Sequence, residues 1–152
     1  MSSVSQESFY ILRSHCQTLD LPEDATEFVM LMWTMIQRFD DVVDEPEKMT
    51  RSDKDALIWD SLVTLPTNAF YLRNVGALSS AVVLMIAKWK ASDTAEREKR
   101  HDARSFVWRA GFYDVFLLVY ILCKGPVQGL EAAETVLSLY GETLDDYMRE
   151  FD

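Results

Sequence analysis

Almost everywhere along this chain apolar residues return every three or four positions, and no stretch alternates polar with apolar residues between Gly or Asn turns. That period belongs to helices and leaves no hairpins to build a sheet. With only 5 Gly and 4 Pro in 152 residues, there is also little to interrupt helices once they start. The pattern predicts an all-α fold: a compact bundle of about six helices forming a single domain over residues 1–152. A chain of this size can bury roughly two thirds of its unfolded surface, so it needs no disulfide or metal to hold a core.

The expected helices run from Gln6 to Leu19, with Phe9, Leu12, Cys16 and Leu19 on one face, and from Pro22 to Asp44, where apolar residues cover most of the circumference and Pro46 marks the end. A third is expected from Ser52, as its cap, to Leu65, burying Ala56, Ile58, Trp59, Leu62 and Val63. A fourth covers Phe70 to Lys90. Ser92-Asp93 then reads as the cap of a long fifth helix from Thr94 to Lys124, stopped by Gly125-Pro126, and a last helix runs from Gly129 to Phe151, bent at Gly141. Trp33, Trp59, Trp89, Trp108, Phe112 and Phe116 are candidates for core or for a subunit interface, more apolar bulk than one small globule hides.

The net charge of −10 argues against nucleic-acid backbone and anionic membrane surfaces as partners. A basic protein partner, or a second copy in a homodimer, fits better. Cys16 and Cys123 sit far apart in apolar surroundings, as buried free thiols do in a reducing compartment. The first residues have neither the basic start nor the apolar stretch of a signal peptide, and the longest uninterrupted apolar run, Val115 to Cys123, is about half of a membrane span. The expectation is a cytoplasmic protein with no membrane insertion.

One local constellation suggests chemistry. In Phe39-Asp40-Asp41-Val42-Val43-Asp44-Glu45, the spacing places Asp40, Asp41 and Asp44 on one helical face. They lie at the negative end of the helix dipole, where acids need a cation or a basic partner to offset them. Mg²⁺ takes carboxylate oxygens in this way; a solvated acidic helix end is the competing interpretation. Asp114 interrupts the apolar series Gly111–Leu118 and must be paired, protonated, metal-bound or on an exposed strip. Arg13, Arg38, Arg73 and Lys88 are its candidate partners, and Asp114 facing the aspartate cluster would complete a metal site. Arg109 is a candidate for anion binding. The acids from Glu142 to Asp152 read as a solvated face that a basic protein could recognise. No nucleophile elbow, phosphate-cradling glycine loop or zinc-ligand spacing is present in the sequence.

Ser8-Phe9-Tyr10, Leu21-Pro22-Glu23 and Arg38-Phe39-Asp40-Asp41-Val42-Val43-Asp44-Glu45-Pro46 together resemble the opening of squalene and phytoene synthases, class I isoprenoid synthases, over about the first third of the chain. The resemblance implies Asp40, Asp41 and Asp44 as ligands of Mg²⁺ bound to a prenyl diphosphate. Downstream, Trp89-Lys90-Ala91-Ser92-Asp93 and Ser105-Phe106-Val107-Trp108-Arg109-Ala110-Gly111-Phe112-Tyr113-Asp114 are similar to small bacteriophage and prophage proteins, a likeness that implies origin and size rather than chemistry, with the host cytoplasm as the location of a phage-encoded chain. His101-Asp102 resembles the central pair of HD-type phosphohydrolases. Two functions from different classes follow: a non-catalytic binding or assembly protein of phage type, preferred because no catalytic set is complete, and a Mg²⁺-dependent diphosphate-binding protein or enzyme using the aspartates.

Overall fold

The computed structural model describes residues 3–152, with side chains from residue 6 onward. Among them every regular element is helical and none is a strand. Backbone contacts gather into two units, Met1–Val75 and Gly76–Asp152.

In the first unit α1 (Ser3–Thr18) and α2 (Glu23–Asp44) form an antiparallel pair. No glycine turns the chain between them. Asp20 adopts the left-handed conformation (φ 53°), and the amides of Asp20 and Leu21 donate back to the carbonyls of Gln17 and Cys16 at 3.0 and 3.1 Å. This is a Schellman stop with an aspartate where glycine is usual. Leu12 and Cys16 of α1 are buried, on the expected face, against α2, whose Phe28, Val29, Met30, Met32 and Met35 are buried. Burial pushes the Cys16 thiol up to about 11, which makes it inert.

A 3₁₀ turn (Pro46–Lys48) leads to α3 (Arg51–Trp59), a π turn (Asp60–Thr64), α4 (Leu65–Thr67) and α5 (Ala69–Arg73). Thr50, not Ser52, caps α3: its hydroxyl accepts from the Asp53 amide at 3.0 Å while the Asp53 carboxylate accepts from the Thr50 amide at 3.1 Å. The expected buried side of this helix is wrong in phase. Leu57 is buried, whereas Ile58, Trp59 and Leu62 are 59, 62 and 73% exposed. Four consecutive apolar residues, Ala56 to Trp59, leave the phase open, and the π turn inserts an extra residue that rotates everything after it. Arg38 of α2 clamps this segment through Asp60 at 2.7 Å, both side chains being about four fifths buried. Asn68 joins the two ends of the unit, accepting from the Tyr71 amide and donating to the Asp24 carbonyl.

The second unit contains α6 (Val75–Arg97), α7 (Ala103–Arg109), α8 (Phe112–Lys124), α9 (Pro126–Ser138) and α10 (Leu144–Arg149). Its core is Leu78, Met85, Phe112, Val115, Phe116, Val119, Ala132, Val136 and Tyr147. The count of about six helices therefore needs correction. The long fifth helix is in fact the end of α6, then α7 and α8, separated at Glu98–Asp102 and at Ala110–Gly111. Ser92 is buried inside α6 rather than capping a new helix. The last helix starts earlier, at Pro126, and breaks fully near Gly141 instead of bending.

Gly125 makes the sharp turn from α8 to α9 with φ 92°, and Pro126 follows at the first helical position. The two helices approach so closely at Gly129 that a Cβ there would lie 2.3 Å from Ile121 Cγ1. Gly76, by contrast, has nothing within 4 Å of where its Cβ would be. Gly129→Ala is expected to lose about 1–2 kcal/mol despite alanine's better helix propensity, because Ile121 must be displaced in a packed layer. Gly76→Ala should instead be neutral or raise stability by up to about 1 kcal/mol. Urea unfolding of both variants checks this; equal stability of the two would disprove the close approach.

Candidate functional site

The acidic run occupies the last two turns of α2, where burial has ended: Phe39, Val42 and Val43 are 45, 40 and 48% exposed. Asp40 is half-buried, and Asp41 and Asp44 are exposed. Asp40 and Asp44 each make a polar or electrostatic contact of their own. Lys48, bridged to Glu45 at 2.7 Å, lies within the field of Glu47 and Asp41, and the hydrogen bond it donates to the Glu45 carboxylate holds its ammonium above the ordinary lysine range. A basic side chain thus offsets part of the charge at this helix end. Asp114 lies in the second unit, 61% exposed, and accepts from Lys88 at 2.8 Å, one of its four candidate partners. Among the described residues no three acids, histidines or cysteines are grouped so as to hold a metal ion. His101 stacks on Phe151 at 4.0 Å, and Asp102 caps α7.

The densest polar cluster lies elsewhere, around Arg109 at the end of α7. Its guanidinium sits 3.8 Å from Glu96 of α6 and 3.5 Å from Glu150 beyond α10, and 5.0 Å above the Tyr147 ring. Burial would weaken its charge, but Glu142, Glu96 and Glu150 together outweigh burial and hold it above its ordinary pKa. The buried Tyr147 donates to Glu96 at 2.9 Å and shares a 2.7 Å bond with Ser105, while Tyr140 donates to Glu142 at 3.3 Å. The Glu142 carboxyl is raised, first by burial, against the pull of Arg109, and further by the neighbouring Glu150 carboxyl. Tyr140 and Tyr113 are raised by burial and by Glu142. One cation among three acids and three phenols ties α10 to α6 and α7. It offers no nucleophile.

Sequence reasoning singled out Arg109 but read Glu142 and Glu150 as solvent-facing. The available signal was the aromatic series Tyr140, Tyr147 and Phe151 threaded through the acids, which buries one side of that tail. Beside the cluster an open cleft of about 280 Å³ has Ser92 and Ser105 in its lining, Trp108 in its wall, and Arg100 and Arg104 at its edge. Both arginines are committed: Arg100 to Glu98, Arg104 to Asp102.

The most extensive unsatisfied feature is apolar surface. Of the 23 residues of α6 only Leu78, Met85 and Ser92 are buried, and Val83, Leu84 and Ile86 are 67, 57 and 45% exposed. By length and composition α6 is apolar enough to cross a membrane, at a mean hydropathy of 1.2, although Lys88 and Lys90 interrupt its C-terminal third; α7 and α8 pass the same test jointly, bent by 43°. It is a marginal case, and no convincing span is present among the described residues; the sequence reading, which expected no membrane insertion, rested on uninterrupted runs and did not single out α6, whose apolar residues are broken by serines. In α9, Val127, Leu130 and Leu137 are 71, 80 and 74% exposed.

Compared with protein-family models, with curated proteins and with solved structures, the chain gives no match.

The Glu142 carboxyl, raised in the fold, binds its proton more tightly there than in the unfolded chain. As pH climbs above about 4.5 the unfolded state ionises first, so this group's contribution to stability falls until its folded pKa is passed. Glu142→Gln, which does not titrate, should therefore gain on wild type between about pH 5 and pH 7.5. Denaturant midpoints of the two proteins at both pH values provide the check, and a constant difference would refute it.

Proposed function

We propose that this chain is a non-catalytic assembly protein, which works by burying exposed apolar helix faces against other protein helices and associates with a second copy of itself through α6. The observation behind this reading is α6 itself. A helix apolar on nearly all sides is stable in water only when covered, and here most of its circumference is uncovered. The small residues Gly76, Ala77, Ser80 and Ala87, exposed beside Val83 and Leu84, allow another helix to come close. Exposed apolar patches of this extent on a folded chain mark interaction surfaces.

The polar chemistry agrees with a binding role. The Arg109 cluster, Lys88–Asp114 and Arg38–Asp60 each consume their charges internally, and none of the three presents an activated nucleophile or a poised general base. The acidic end of α2 adds negative field rather than a reaction centre, which favours encounters with cationic protein surfaces.

Sedimentation velocity over a concentration series should show a dimer or larger species that dissociates on dilution. The paired substitution Val83→Lys with Leu84→Glu, at exposed positions, should leave the helical circular dichroism unchanged and shift the protein to monomer, weakening association by at least about tenfold. A wild-type monomer at all concentrations, or flotation with neutral lipid vesicles in place of self-association, would overturn the reading.

A further inference from the structure

Helix α9 presents a second face that a copy of this chain does not fit. Its buried side, Gly129, Ala132 and Val136, packs on α8. Its outer side shows Val127, Leu130, Glu134 and Leu137 at spacings of three, four and three, all exposed. These are successive a and d positions of a heptad seam, apolar except at the second a position, where Glu134 stands. Glu131 flanks it. No basic residue lies anywhere in α9, and Lys124, just before it, is already engaged.

We infer that α9 docks an amphipathic helix of a different protein that carries leucine-type residues along its seam and a lysine or arginine opposite Glu134. The three aliphatic side chains supply the apolar contact, and the carboxylate supplies register and partner choice, since a charge in a helical seam is tolerated only when neutralised. A second copy fails on this ground. In a parallel pair Glu134 meets Glu134; in an antiparallel pair each Glu134 is pressed against Leu130 with no cation nearby. An anionic lipid or nucleic-acid surface is repelled by Glu131 and Glu134 together. The inference rests on the chain being a binding protein, but not on the α6 contact.

The test uses the full chain and labelled three-heptad peptides with Leu at a and d, differing only in whether Lys or Glu occupies the central seam position. Fluorescence anisotropy should show the Lys peptide binding at least about tenfold tighter than the Glu peptide. Glu134→Lys should reverse that order, and Leu130→Ser with Leu137→Ser should abolish binding of both, with circular dichroism confirming the fold. Equal affinity for the two peptides, no reversal in Glu134→Lys, or Leu137→Cys protomers cross-linking to each other through α9 would overturn the proposal. Because α6 is untouched by these variants, a wild-type chain that dimerises yet binds neither peptide would sink α9 docking alone; the Val83→Lys/Leu84→Glu protein binding peptide normally as a monomer would separate the two surfaces the other way.

Discussion

Everything in this fold depends on helices being stopped at the right residue by a chain nearly devoid of glycine. Gly125 stops α8, but the ends of α1 and α6 are made by non-glycine residues in left-handed backbone. Asp20 ends α1 and Lys99 ends α6, with φ 53° and 58°, and in both the amide that follows bonds to the carbonyl five residues back. Each such residue costs about 1 kcal/mol relative to glycine, more for a lysine than for an aspartate that can bond locally. After Lys99 the capping box Asp102–Ser105 offsets that cost at the start of α7, whereas α2, after Asp20, starts behind Pro22 without a side-chain cap. Hydrogen bonds from Arg104 and from its amide hold the Asp102 carboxyl down to about 2, so the α7 cap stays ionised through any ordinary pH range.

This device explains what was legible in the sequence and what was not. The helical period, α2 almost to the residue, the end of α1, and the stop at Gly125-Pro126 could be read because they rest on apolar spacing, proline and glycine. The break after Arg97 could not, since lysine in left-handed backbone leaves no compositional mark, and the charged stretch from Glu96 to Asp102 reads as the solvated side of a continuing helix. The Asp102–Ser105 pair was a usable start signal, masked by Ser92-Asp93, which has the same capping composition but lies four to five residues before the end of α6. Phase in α3 was unreadable for another reason: a π turn is invisible to any fixed period.

The site followed the same division. Asp40, Asp41 and Asp44 do share the end of α2, as spacing requires, but spacing says nothing about whether a wall rises opposite them, and α2 has left its packed neighbours by Phe39. Asp114 was recognised as needing a partner, and Lys88 was among those named; what could not be foreseen was that the carboxylate would be the exposed member of the pair and the lysine the covered one. The Arg109 cluster assembles from α6, α7 and the segment around α10, so Glu96 is tens of residues from Glu142 and Glu150, and only the fold brings the three to one guanidinium.

The distribution of charge bears on the binding role more than the total does. An acidic protein whose carboxylates were spread evenly would repel its own kind everywhere and assemble poorly. Here α6 is free of acids from Val75 to Ser92, while the acids near it are drawn inward to Arg109 or held by Lys88. On the proposed reading these would be two surfaces of opposite selectivity. The acid-free, small-residue face of α6 would meet an identical helix without repulsion between carboxylates, whereas two α9 faces would press Glu134 against another Glu134 or an aliphatic side chain. A chain that joins itself through the first would present two copies of the second, so that a partner bearing two basic helices would gain effective concentration from the dimer that neither α9 alone provides.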